Sequence, residues 1–232
     1  MTRWIDADMV GGGQDRGTPM NSVGSVRLYQ CVMSAAQEAP MHPNFDLEPA
    51  ATALVAVVGG ISDEQLIAPT PCDDTNVRDL LAHVVGLTEA FRQAATKEAV
   101  GRSAPPAVGP ETALPDDWRT RIPAQLKSLV EAWRDPAAWD GETEAGGVCA
   151  PAAMMAMIAL NETVVHSWDL ARATGQRPIA DPAHLMVLLE FLSETPAEGT
   201  PGMFGPVVPV SNSAQELDRV IGLTGRDPAW TR

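Results

Sequence analysis

The stretch that decides the fold is Pro151-Ala-Ala-Met-Met-Ala-Met-Ile-Ala-Leu-Asn161-Glu-Thr-Val-Val-His166-Ser-Trp-Asp169-Leu-Ala-Arg172-Ala-Thr-Gly175. It reads as one long helix from about Pro151 to Thr174, with Gly175 as a left-handed stop and Pro178 shortly beyond. At about 100° per residue, Met154, Met155, Met157, Ile158, Leu160, Val164, Val165 and Trp168 cover more than half of the circumference. The solvent strip is then expected near Thr163 and Ser167. Glu162 falls between Ile158 and Met155 and is expected to point inward. His166 falls just beyond Met155, at the edge of the apolar face.

Glu162 and His166 are four positions apart, so on a helix their side chains stack on one face and can grip one ion. That spacing alone also fits a solvated stripe. Turned inward, however, a carboxylate and an imidazole need partners, because leaving them unpaired costs several kcal/mol. A metal satisfies both, and two histidines with one glutamate plus water form an established open zinc geometry. The third ligand is expected from a facing helix, as in other bundle sites.

Working outward, four more helices and a short one are expected. A first helix is capped by Asp46, tolerates Pro49 in its first turn and ends at Gly59-Gly60. A second begins at Thr75 or Asn76, with Asn76 and Asp79 as a plausible cap, and runs to about Val100. Its stripe is Val77, Leu80, Leu81, Val84, Leu87 and Phe91, and His83 sits between Leu80 and Leu87. By itself such a histidine fits a hydrogen-bonded core residue as well as a ligand. Beside an inward Glu162/His166 pair it becomes the expected third ligand, while His42 and His184 are expected at the surface. A Gly/Pro-rich connector over residues 101–115 permits an overhand crossing. A third helix spans about Asp116 to Arg134, with Pro123 kinking or resetting its start. After a turn at Gly146-Gly147 comes the long fourth helix. A fifth runs from Asp181-Pro182 to about Glu194, and a short helix follows near Ser213 to Leu223. Strand periodicity is nearly absent; residues 207–210 are the sole candidate, and Pro209 weakens it. The fold class expected is all-α, with residues 43–196 as a helical bundle and residues 197–232 as a Pro/Gly-rich tail.

Composition narrows the function. The chain has 232 residues, 45% hydrophobic, with 30 acidic against 16 basic residues and a formal net charge of −14. That length suits one sizeable core. The acidic balance, with no Lys/Arg cluster, excludes nucleic acid or an anionic membrane surface as the expected partner. No run approaches the ~18 apolar residues of a membrane span. Cys31, Cys72 and Cys149 are too scattered for a disulfide framework or CxxC chemistry, which points to the cytoplasm. Cys72 precedes a helix start, where the dipole lowers a thiol pKa; a packed, inert cysteine is the equal alternative. Asp169 reads either as an acceptor behind His166 or as an ordinary surface acid. No GxGxxG, Walker loop or GxSxG occurs. Residues 1–42 lack a sustained period and are expected to be a disordered extension. Met41 is a candidate start of translation, which the N-terminal peptide of the native protein would decide.

Several of these residues together resemble a known family. Thr70-Pro71-Cys72, then Val77-Arg-Asp-Leu-Leu-Ala-His83, then Glu162-x-x-x-His166-Ser-Trp-Asp169-Leu-Ala-Arg172-Ala-Thr-Gly175 are similar to actinobacterial stand-alone metal-binding proteins. These are related to the N-terminal domain of mycothiol-dependent maleylpyruvate isomerase, in the DinB-like superfamily of four-helix bundles. The ending Leu223-Thr-Gly-Arg226-Asp-Pro-Ala-Trp230 is similar too, so the resemblance covers about Asn44 to Arg232. It implies a divalent metal, usually zinc, held by His83, Glu162 and His166 with a coordination position open toward the thiol cofactor, mycothiol. Two departures limit the transfer. Thr75 stands where relatives commonly have Trp, and the tail is too short to supply the isomerase's second, α/β domain.

Two functional readings follow. One is a zinc-dependent, mycothiol-type thiol transferase or isomerase acting on a small electrophile. The other is a non-catalytic metal-binding or partner-binding helical module. An open set of three ligands favours the first, because structural zinc normally takes four protein ligands.

Overall fold

A computed structural model describes residues 45–72, 74–104, 113–200 and 203–232. The expected N-terminal extension, Cys31, Met41 and His42 lie outside the described residues. Among the described residues there are six α-helices and one two-stranded hairpin: α1 (Glu48–Gly59), α2 (Val77–Ala95), α3 (Trp118–Trp133), β1 (Glu142–Ala145), β2 (Val148–Pro151), α4 (Ala152–Thr174), α5 (Pro182–Phe191) and α6 (Glu216–Leu223). The all-α bundle expected from the sequence is therefore what the chain builds.

Helices α1 to α4 form the bundle. Each packs on two neighbours in the cyclic order α1, α4, α2, α3, so α1 lies diagonally across from α2 and α3 across from α4. Leu54 and Val58 of α1, Leu80, Leu81 and Phe91 of α2, Ile122, Leu126 and Leu129 of α3, and Met155 and Leu160 of α4 fill the space between them. Burial of side chains of this size is worth roughly 1.5–3 kcal/mol each. The helix through Pro123 is continuous.

Local chemistry sets most of the helix ends. Asn76 caps α2, its Oδ1 accepting from the Asp79 backbone N–H at 3.0 Å. Gly175 closes α4 in the left-handed region at φ 71°, as its sequence position predicts. Asp46 works one residue earlier than expected. The N-cap is Leu47, while Asp46 Oδ1 accepts from the Glu48 N–H and its carboxylate pairs with Arg134.

Three expectations are corrected by tertiary contacts. The second helix stops at Ala95 rather than near Val100, because Thr143 of β1 donates to the Ala94 carbonyl and Lys97 turns to φ 62°. The hairpin was not anticipated beyond its turn. Gly146 and Gly147, at φ 58° and 78°, suit a tight two-residue connection with the primed geometry that matches strand twist. Residues 207–210 form no strand; the Val208 N–H bonds the Gly222 carbonyl at 3.0 Å instead.

Helix α4 is the axis of the molecule. Nineteen of its residues are buried, including Thr163 and Ser167, where a solvent strip was expected. Thr163 faces the bundle, beside Leu54, Val84, Leu87 and Leu129, and on another face of α4 Ile221 and Leu217 of α6 and Trp230 pack against Val165 and Trp168. Arg172 then donates to the Trp230 carbonyl at 3.1 Å, tying residues 224–232 to α4. No described helix is long and apolar enough to cross a membrane.

Candidate metal centre

The neighbouring helices α2 and α4 bring three ligand-capable side chains together. His83 Nε2 lies 4.0 Å from Glu162 Oε2, and Glu162 Oε2 lies 2.9 Å from His166 Nε2. The two imidazoles meet edge to face, 5.1 Å between ring centres at 88°. One ligand atom from each of the three lies within 4.8 Å of the others. The helical register explains the convergence. Glu162 and His166 stack at i and i+4 on α4, and His83 faces them from α2 in line with Leu80 and Leu87.

Glu162 is inward as expected and His166 is more buried than its expected edge position: they retain 7% and 3% of their side-chain exposure, against 11% for His83. The cluster therefore opens, slightly, on the His83 side. Leu54, Val84, Leu87 and Phe91 wall the space beside Glu162.

The second surroundings of His166 are equally defined. Its Nδ1 lies 2.9 Å from Asp169 Oδ2. Asp169 is fully buried and also receives Arg226 Nε at 2.9 Å on Oδ1, Arg226 Nη2 at 3.0 Å on Oδ2, and the Cys72 thiol at 3.1 Å on Oδ2. Arg226 Nη2 stands 3.4 Å from Cys72 Sγ. Both of these residues are placed by turns. Thr70 Oγ1 accepts from the Cys72 N–H at 3.1 Å. At the end of α6, the Arg226 N–H bonds the Ile221 carbonyl and the Gly225 N–H bonds the Gly222 carbonyl, with Gly225 at φ 78°. That is a Schellman closure, and it aims Arg226 back at α4.

Electrostatics follow from this packing. Burial would raise the Asp169 pKa, but the Arg226 guanidinium and His166 outweigh it and hold the carboxyl well below the usual carboxylate range. Burial, then the charges of His166 and Arg226, push His83 down to about 4 against the pull of Glu162, so it is neutral at pH 7. Burial also opposes charge on His166, but Asp169, Cys72 and Glu162 outweigh it and raise its pKa well above the ordinary value. Glu162 ends below its ordinary value because His166 and His83 offset the effect of burial.

A divalent ion fits these residues. Asp169, ionised, has only acceptor oxygens, so its contact with His166 requires the proton on Nδ1. Without an ion, the raised pKa of His166 puts a second proton on Nε2, facing Glu162 Oε2 at 2.9 Å; in the neutral ring Nε2 presents a lone pair to that oxygen, and a cation takes the proton's place. Glu162 Oε2 and His166 Nε2 both lack a hydrogen-bond partner of good geometry. Ligand atoms on a tetrahedral ion at about 2.0–2.2 Å lie roughly 3.4 Å apart. The observed 2.9 and 4.0 Å bracket that spacing.

Sequence reasoning named His83, Glu162 and His166, and the structure brings all three together. It leaves Asp169 as the buried acceptor rather than a surface acid, and Cys72 as a packed thiol behind His166. Arg226 was missed as a site residue; its one signal was the Gly225 that ends a short helix. His184 was expected at the surface but is buried, with Nε2 2.8 Å from the Asp46 carbonyl, far from this cluster in its contacts.

The arrangement is that of a helical bundle whose interior carries a ligand-capable cluster on facing helices. Residues 47–171 match the family described as mycothiol maleylpyruvate isomerase N-terminal domain. Two proteins of Mycobacterium tuberculosis, Uncharacterized protein Rv0738 of strain H37Rv and Uncharacterized protein MT0763 of strain CDC 1551, are each 30% identical over 183 residues, covering 74% of this chain and 87% of the relative. Among solved structures, the mycothiol-dependent maleylpyruvate isomerase is 19% identical, with 63% of this chain and 66% of that chain covered and a TM-score of 0.48. A mutant of that enzyme is 18% identical, with the same coverage and TM-score. The chain belongs to the mycothiol maleylpyruvate isomerase N-terminal domain family.

Proposed function

We propose that this protein binds a divalent cation, zinc or similar, through His83, Glu162 and His166, and uses it to deliver a mycothiol-type thiol to a small electrophile. The carrying observation is the buried convergence of His83, Glu162 and His166 from facing helices, one ligand atom of each within 4.8 Å of the others and Glu162 Oε2 2.9 Å from His166 Nε2. Family membership supports the thiol, since the family's description names mycothiol.

When bound, the ion supplies a lowered pKa to a thiol beside it, giving thiolate near neutral pH. The chain's own residues do the rest. Glu162 contributes the single negative charge that leaves the site net positive toward an incoming thiolate. Leu54, Val84, Leu87 and Phe91 exclude water beside it, and the partial exposure of His83 sets the side of approach. The sulfur forms a C–S bond to the electrophilic carbon. In a transfer, that carbon's leaving group departs with its electron pair, or, where the sulfur adds across a double bond, the other atom of that bond receives the electron pair and takes up a proton. In an isomerisation, the same C–S bond breaks after bond rotation and the thiol returns.

The test is elemental mass spectrometry of untagged wild type beside His83→Ala/His166→Ala, followed by turnover of model electrophiles with mycothiol. About one ion per chain in wild type and none in the folded double variant supports the site. Activity unchanged in His166→Ala sinks the enzyme reading. The near-closure of all three side chains favours one second reading, an ion that serves a non-catalytic module. In that case metal removal lowers the melting temperature and no thiol binds.

A further inference from the structure

Arg226 is the buried charge that the reading above leaves without a task. It comes from the segment after α6, yet the residue is 5% exposed; its Nε and Nη2 go to Asp169 and its Nη1 donates to the Thr224 carbonyl. Asp169 in turn faces the Nδ1 edge of His166. His166 is shared by two groups of side chains able to hold an ion: His83–Glu162–His166 on its Nε2 edge, and Cys72–His166–Asp169 on its Nδ1 edge. One imidazole cannot serve both with one proton to place. The guanidinium stands within 3.4 Å of Cys72 Sγ and 3.0 Å of Asp169 Oδ2, so a fixed positive charge already fills the second group.

We infer that Arg226 is the positioning residue of this centre: by pairing with Asp169 it holds that carboxylate against the Nδ1 edge of His166 and closes the edge to cations, and so commits the Nε2 edge to the ion beside Glu162. This rests on the metal site of the proposed function and adds what selects between its two possible edges. Carboxylates behind a ligating histidine fix its tautomer and orientation. Here the carboxylate is itself fixed by an arginine delivered through the Schellman turn at Gly225.

The experiment is Co2+ titration of the full chain, read by visible absorption, for wild type, Arg226→Gln and the double variant Asp169→Asn/Arg226→Gln. The double variant removes both buried charges together, so neither is left unpaired. Far-UV circular dichroism and melting temperature report folding separately. Wild type binding Co2+ with a histidine–carboxylate spectrum establishes the parent site; no binding there sinks the parent reading itself. Given that, the expected result is affinity weakened roughly 10–100-fold in the folded variants. A thiolate-to-cobalt charge-transfer band in Arg226→Gln, abolished by adding Cys72→Ser, equally supports the inference, since the ion has then moved to the other edge. Wild-type affinity and spectrum in the folded double variant, with only the melting temperature lowered, overturns it.

Discussion

Thr143 Oγ1 donates to the carbonyl of Ala94 at 2.6 Å, and so ties the hairpin to the C-terminal end of the helix that carries His83. Thr143 is fully buried, and the carbonyl it satisfies is one of the four that a helix end leaves open. Thr143→Val keeps the shape and deletes the hydroxyl. It is expected to destabilise the fold by about 0.5–1.5 kcal/mol, the worth of one hydrogen bond, because the Ala94 carbonyl keeps the Lys97 N–H at 3.2 Å. Urea denaturation measures this, and metal content should be unchanged.

Glu162→Gln tests the centre with the volume held constant. The amide removes the negative charge that faces His166 at 2.9 Å. Loss of metal affinity should exceed the roughly 10–100-fold that an outer hydrogen bond is worth. Competition against a chelator of known strength reads it directly.

Chelation should lower the melting temperature of the metal-loaded protein, because an ion that binds only the native state stabilises it by mass action. At free metal 100 times the dissociation constant the contribution is about 2.7 kcal/mol. His83→Ala/His166→Ala should melt at one temperature with or without chelator.

Leu160→Ala probes the axis of the bundle. Leu160 is fully buried on α4 between α1 and α2. The expected loss is about 2–5 kcal/mol, the range for truncating a large core side chain whose surroundings relax only in part. Denaturant unfolding followed at 222 nm would show it as a lower midpoint at constant slope.

Gly225→Ala is expected to destabilise by more than about 1 kcal/mol, since Gly225 sits at φ 78° and a Cβ there would meet the Gly205 carbonyl oxygen at 2.8 Å. Gly222→Ala is the matched control for close approach without the dihedral, its Cβ meeting Val208 O at 2.6 Å. Thermal melts of both variants compare the two costs.

Local pattern was enough for much of this. The i, i+4 pairing of Glu162 with His166, the Asn76 cap and the Gly175 stop depend on neighbours within one or two turns, and each reads off the chain. What escaped depends on distant partners. Thr163 looks solvent-facing on a wheel, yet it lines the interior with Leu54, Val84 and Leu129 of the neighbouring helices. His184 looks exposed until the Asp46 carbonyl reaches it from the start of α1. The end of α2 carries no glycine or proline, so only the Thr143 contact reveals it. Arg226 could not be joined to Asp169 by any periodicity, because a separate helix and a left-handed turn stand between them.

The ion pair between Arg226 and Asp169 also separates two meanings of the word module. The stretch that matches the family runs from residue 47 to 171 and contains Asp169 but not its counter-charge. A gene fragment cut at that border would strand a carboxylate in the interior, at a cost of about 3–5 kcal/mol. It would also bare the outer face of α4 where Trp168 now meets Ile221. The heritable segment and the self-sufficient one are therefore different lengths. Shuffling of the shorter piece between genes succeeds only where the new neighbour brings its own cation to that spot.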